Sequence, residues 1–225
     1  MGPDYVTQKG EIMVAKVMVE VPKGSRNKYE YDKVNKCIRY DRMLHSPVHY
    51  PTDYGFFLDT LARDGDPLDA LVLVWEPTFP GCIIDARPVG VFKMTDEKGI
   101  DEKILCIPVH DPLWMHLNSL YDVPPHLLRE IEHFFDIYKK LEEKRTVVEG
   151  WANREEAIAI IKESQQRFRD AQAPAAASSA ARLAAKPSGK PGPKSGASSP
   201  AQSAAPRPKR AMKSAASPAP KRRTS

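Results

Sequence analysis

The stretch DGDPLDALVLV (residues 64–74) sets three carboxylates within six positions, at Asp64, Asp66 and Asp69, and then enters an apolar run. Gly65 lets the backbone turn between the first two, and Pro67 stiffens the approach to the third. Like charges this close suit either a bare solvated turn or a site for divalent cations, and these residues alone fit both readings equally. A calcium-binding EF-hand is excluded by spacing: position five is Leu68, position six is Asp69 instead of Gly, and position twelve is Trp75 instead of Glu. Hard cations such as magnesium, which take oxygen ligands and keep part of their water shell, suit carboxylates on a constrained turn.

A second acidic segment, KMTDEKGIDEK (93–103), carries Asp96, Glu97, Asp101 and Glu102. On a strand, Asp101 and Lys103 project from one face. Taken alone, Glu97 and Glu102 read as charges on a solvated hairpin tip. Carboxylates from two loops at strand ends of one sheet can nevertheless converge on shared metals. Lys28, Arg42, Lys103 and Lys139 offer positive charge to phosphoryl oxygens, Arg42 bidentately. Tyr54 and Tyr138 offer hydroxyl donors. Singly, each reads as a surface ion pair or a core aromatic; jointly, beside the carboxylate loops, they point to metal-bridged phosphate chemistry. The chain has no GxxxxGK[ST] and no GxGxxG, so neither nucleotide-binding signature is present.

These residues have to be positioned by short strands. IMVAKVMVEV (12–21), KYEYDK (28–33), KCIRYDR (36–42), ALVLV (70–74), ARPVGVFKM (86–94) and EKILCIPV (102–109) all have strand character. The second and third form a hairpin about Val34-Asn35, and ALVLV is apolar enough to be buried on both faces. Several short strands separated by Gly, Pro and Asp predict a small barrel or strongly curved sheet. Two helices follow. Asp122 is expected to cap the first, which takes Pro124-Pro125 in its opening turn and repeats apolar residues over 125–143. Asn153 and Glu156 have capping-box spacing at the start of the second, whose apolar side holds Ala157, Ile160, Ile161 and Phe168.

Composition divides the 225 residues in two. Residues 171–225 hold 11 Lys/Arg, no Asp or Glu and no aromatic residue, and are rich in Ala, Ser and Pro; residues 1–170 have a net charge of −6. The tail cannot bury enough apolar surface to offset its chain entropy and is expected to be disordered. The body is large enough for one domain with a core. Cys37, Cys82 and Cys106 lack any CxxC pairing and read as buried, reduced thiols. No leader pattern and no membrane-length apolar run occurs, so a cytoplasmic protein away from membranes is expected.

The blocks VEVPKGSRNKYEYD (19–32), DRML (41–44), YPTDYGF (50–56), DGDPLDALV (64–72), ARPVGVFKMTDEKGIDEKI (86–104) and HFFDIYKKLE (133–142) together resemble the family I soluble inorganic pyrophosphatases (inorganic diphosphatases) of prokaryotic type, in order and spacing, over about residues 12–168. The resemblance implies an α+β, mainly-β fold, with a five-stranded OB-like barrel and two C-terminal helices packed on it. It implies hydrolysis of pyrophosphate to two phosphates by a metal-activated water. The first two magnesium ions would be held by Asp64, Asp69 and Asp101, with Asp69 bridging, and further ions by Asp96, Asp101 and Glu20. Manganese, zinc or cobalt are expected as substitutes. Asp66 would act as general base, and Lys28, Arg42, Tyr54, Lys103, Tyr138 and Lys139 would contact phosphate. Glu30, Tyr50 and Glu97 would support the rim, and a homo-oligomer, a hexamer by resemblance, is implied. Two features depart from the pattern: Asp53, where the family often has Asn or His, and the basic tail. An extra carboxylate beside Tyr54 could alter metal or pH dependence, but it removes no ligand.

Two other functions compete. A nucleic-acid-binding OB protein with a linker-histone-like tail would need a basic, aromatic groove, which an acidic body does not offer. The tail itself suits at most weak, salt-sensitive polyanion contact. A magnesium-dependent hydrolase of nucleotides would need a base pocket, and no stretch resembles one.

Overall fold

The computed structural model describes residues 13–97, 99–142 and 144–184, with side chains described as far as Ala173. Among these residues the elements are β1 (Ala15–Val21), β2 (Asn27–Asp32), β3 (Cys37–Met43), β4 (Asp53–Phe57), β5 (Asp69–Val72), β6 (Ile83–Asp96), β7 (Gly99–Pro108), α1 (Pro125–Ile137), β8 (Val147–Ala152) and α2 (Arg154–Ala184). The fold is mainly β with two helices. β1 pairs with β4, β4 with β5, β5 with β7, β7 with β6, and β6 returns to β1; only the β5–β7 pair is parallel. β8 adds to the other side of β6, and β2 with β3 forms a separate antiparallel hairpin.

The period-2 alternation of strands sorts the apolar side chains onto two faces. Leu105 and Ile107 of β7 join Leu71, Phe92 and Met94 against Ile131, Phe134 and Phe135 of α1. Ile104 and Cys106 join Ala70, Val72 and Val91 against Ala157, Ile160 and Ile161 of α2. Each face has its own helix, so β5 is buried on both sides, as its unbroken apolar run predicts. Gly55 of β4 lies so close to β1 that a Cβ there would sit 1.9 Å from the Met18 carbonyl oxygen.

Several expectations are corrected. β4 and β8 are strands that the sequence does not announce: Pro51 lies just before the first and Gly55 within it, and Gly150, at φ 105°, falls within the second. The β6–β7 hairpin reaches further than expected, so Asp96 closes β6 and Asp101 belongs to β7. α1 ends at Ile137, and a separate 3-10 turn follows at Lys140–Glu142. Asp122 does not cap α1: its carboxylate accepts the Asn118 and Ser119 N–H groups at 2.8 and 2.9 Å, and Pro124 holds the cap position. Asn153 does cap α2, accepting the Glu156 N–H at 3.0 Å. Cys37, Cys82 and Cys106 are all free, but only Cys106 is buried: Cys82 is half-buried, and Cys37 is exposed because it opens β3 on the peripheral hairpin. α2 continues to Ala184, into the segment read as a disordered tail; residues 185–225 lie outside the described residues. No helix among the described residues is long and apolar enough to cross a membrane.

Candidate active site

The parallel pairing of β5 with β7 places Asp69 directly beside Lys103. Two residues earlier on β7, Asp101 projects from the same face, as alternation requires. Lys103 is therefore held by two carboxylates: its Nζ lies 2.6 Å from Asp69 Oδ2 and 2.7 Å from Asp101 Oδ1, with only 2% of its side chain exposed. Burial alone would lower the ammonium pKa, but the charges of Asp69 and Asp101 outweigh it and hold it well above the ordinary range. Asp101 moves the other way, pushed up by burial, although the Lys103 charge opposes this. Tyr54, on the neighbouring β4, donates its hydroxyl to the same Asp69 Oδ2 at 2.6 Å, and burial raises this phenol far above its usual value.

The other acidic loop is shaped by local bonds. Gly65 takes φ 88°, the Ala62 N–H meets the Asp66 carbonyl at 2.7 Å, and the Asp66 N–H donates to Asp64 Oδ1 at 3.1 Å. Lys33, from the β2–β3 turn, reaches Asp66 Oδ1 at 3.1 Å. Asp96, at the end of β6, meets Lys139 Nζ at 2.9 Å, just beyond α1. Burial pulls the Lys139 pKa down, but Tyr138 and Asp96 prevail and hold it above normal. Burial likewise pushes the Tyr138 phenol up. Glu97 receives Lys144 at 3.4 Å. Glu20, on β1, accepts the Tyr31 N–H at 2.7 Å, yet burial raises its carboxyl to about 7. Lys28 pairs with Glu30 and with Asp41, and Arg42 with Asp41 and Glu142.

All fifteen residues expected at the site line one cavity of about 380 Å³: Glu20, Lys28, Glu30, Arg42, Tyr50, Tyr54, Asp64, Asp66, Asp69, Asp96, Glu97, Asp101, Lys103, Tyr138 and Lys139. Tyr50 forms its wall, 2% exposed and with its ring centroid 4.8 Å from that of Phe134. Tyr31, Lys33 and Lys144 also line the cavity and were not anticipated, since nothing in a polar turn or a lysine-rich helix end marks them. Asp53 does not line it. Fully buried, it accepts the Lys23 N–H at 2.8 Å and the Thr78 N–H and Oγ1–H at 3.2 and 2.6 Å. It ties two loops together outside the cavity.

Eight carboxylates and six cations line the cavity among the described residues, and no His or Cys does. An all-oxygen donor set suits hard cations such as magnesium. Among the described residues no three of these side chains are drawn close enough to cage an ion. Asp69, Asp101 and Asp96 instead turn oxygens toward Lys103 and Lys139. An open, oxygen-lined cavity fits cations that keep several waters and complete their coordination with a ligand.

Fold and site together define a class: a mainly-β protein with carboxylates, lysines and phenols interleaved in one cavity. The inorganic pyrophosphatase family matches residues 17–169, and the chain belongs to that family. It is 59% identical over 160 residues to the inorganic pyrophosphatase of Methanosarcina mazei, covering 71% of this chain and 95% of that one. It is 53% identical over 156 residues to the inorganic pyrophosphatase of Streptomyces coelicolor, covering 68% and 95%. Among solved structures, the inorganic pyrophosphatase of Thermus thermophilus matches with a TM-score of 0.68 and 41% identity, covering 73% of this chain and 95% of that one. The enzyme of Helicobacter pylori matches with a TM-score of 0.68 and 38% identity, covering 72% and 99%.

Proposed function

We propose that this protein hydrolyses inorganic pyrophosphate to two phosphates with magnesium as its metal, in the cavity around Asp69 and Lys103. One observation carries the reading: in a chain of this family, cations and carboxylates alternate within one cavity, and the carboxylates exceed the cations by two. Such a cavity repels a polyanion until divalent cations are added. Asp64, Asp69 and Asp101 would hold the first ions, with Asp69 shared, and Asp96, Asp101 and Glu20 the later ones. Bound magnesium supplies charge neutralisation and acidifies a coordinated water. Asp66 takes or orients the proton of the attacking water. Lys28, Arg42, Tyr54, Lys103, Tyr138 and Lys139 donate to phosphoryl oxygens and stabilise the charge gathering on the leaving phosphate. Glu30, Tyr50 and Glu97 hold these donors in place.

The closed sequence of strand pairings supports reading the sheet as the OB-like five-stranded barrel, with β8 as an addition. Exposed Trp75 and Phe79 suit burial in a homo-oligomer, for which the family resemblance suggests a hexamer. Manganese, zinc or cobalt would substitute for magnesium. We place the enzyme in the cytoplasm. Nucleic-acid binding by the folded body is disfavoured by its acidic cavity. The test is phosphate release from a panel of pyrophosphate and nucleoside triphosphates, with magnesium or with chelator. Pyrophosphate with magnesium is expected to react at least about 100-fold faster than the triphosphates, a margin near 2.7 kcal/mol; equal rates on both would overturn the substrate assignment.

A further inference from the structure

We propose that Glu142 is the positioning residue for Arg42, an inference that rests on Arg42 contacting phosphate. Glu142 sits in the 3-10 turn Lys140–Glu142, does not line the cavity, and exposes 6% of its side chain. It meets Arg42 across 100 residues of sequence: Nε donates to Oε1 at 3.1 Å, and Nη2 donates to Oε1 at 3.1 Å and to Oε2 at 2.8 Å. This double contact engages one edge of the guanidinium and fixes its plane. Nη1 is thereby turned toward Asp41, whose Oδ2 also faces Lys28 Nζ at 3.4 Å. Asp41 thus bridges Arg42 and Lys28, two cations that both line the cavity.

The same contact anchors the chain that presents Tyr138 and Lys139. The Glu142 N–H donates to the Lys139 carbonyl at 2.9 Å, so the carboxylate that grips β3 lies three residues from the lysine paired with Asp96. Ser46 Oγ adds a hydrogen bond to the Ile137 carbonyl at 2.9 Å, and Lys144 Nζ approaches Glu142 at 3.9 Å. A carboxylate so nearly withdrawn from water is costly without its partner, which favours this one arrangement. Glu142 therefore acts on substrate only through Arg42, and Lys144 alone cannot replace the two-point grip.

A mutant cycle separates positioning from a merely structural staple. Glu142→Gln is expected to raise the KM for magnesium pyrophosphate about 10-fold while changing kcat less than about 3-fold. In an Arg42→Lys background, which has no fork to orient, the same change should add less than about 2-fold. Losses that multiply in the double variant would overturn the proposal, because a staple works whatever stands at position 42. Phenylglyoxal labelling of Arg42, read by mass spectrometry, should quicken in Glu142→Gln, and an unchanged rate counts against it. If Glu142→Gln fails to fold, Glu142→Asp, which keeps the charge but is too short for both contacts, carries the same cycle. An inactive wild type would instead refute the pyrophosphatase reading; an active wild type with a kinetically silent Glu142→Gln refutes this inference alone.

Discussion

Lys103 occupies the place between Asp69 and Asp101 where positive charge is needed before any metal arrives. With its side chain 2% exposed, it compensates two carboxylates that would otherwise repel each other at low dielectric. Removing one member of a buried ionic group leaves the others uncompensated, so Lys103→Met should cost about 3–5 kcal/mol in chelator, measured by urea unfolding. Saturating magnesium should recover part of that loss, because cations bind the folded carboxylates; an identical loss with and without magnesium would argue that no ion is held there. Asp66→Asn should lower kcat by about 100-fold or more, with magnesium binding retained in calorimetry. Glu20 gives the pH dependence. Its carboxyl rises from 4.5 to about 7, so the folded state holds a proton that the unfolded chain releases first. Its contribution is full below pH 4.5 and is lost as pH climbs through about 7, roughly 3 kcal/mol at most. Stability in chelator should therefore fall more across this window for wild type than for Glu20→Gln, and parallel curves would contradict the assignment.

At the scale of elements, the site depends on how strands meet. The parallel β5–β7 register brings Asp69 to Lys103, and the β6–β7 hairpin carries Asp96 and Asp101 to the same cavity. β4 supplies Tyr54 from beside Gly55, whose Cβ would collide with the Met18 carbonyl. Gly55→Ala should force β4 away from β1, destabilise the fold by about 3 kcal/mol and weaken activity through Tyr54; an unchanged melting temperature would show that the close approach is dispensable. The acidic turn and the Asp101–Lys103 pair were legible from local devices, Gly65 and strand alternation, whereas Lys28, Arg42, Tyr54, Tyr138 and Lys139 gained roles only through the family resemblance of their blocks. Lys33, Lys144 and Glu142 were not legible. They lie in polar stretches where only pairing over long sequence separations gives a charge its purpose. β8 was hidden for a related reason: a six-residue strand containing glycine is defined by β6, not by its own composition. Asp53 shows the converse, since a carboxylate next to a site residue alternates to the other face of its strand.

For the whole molecule, family membership covers residues 17–169, and both helices that pack on the sheet are rooted within that span. A chain ending at Ala184 should accordingly keep its hydrolytic rate. Residues 1–170 carry a net charge of −6 and the residues beyond them 11 basic side chains, so any polyanion contact is expected from the latter. Any retention on DNA should vanish in the shortened chain and weaken steeply with salt in the full one; equal retention by both would remove the tail from consideration. The acid-rich cavity also implies that magnesium raises the melting temperature of the intact protein. The central claim is that Asp69 organises a metal-dependent pyrophosphatase, and phosphate release from pyrophosphate in magnesium by wild type and by Asp69→Asn tests it most directly. Rapid release by wild type and a rate at least about 100-fold lower in the variant is the predicted result; wild-type release no greater than that of Asp69→Asn contradicts it.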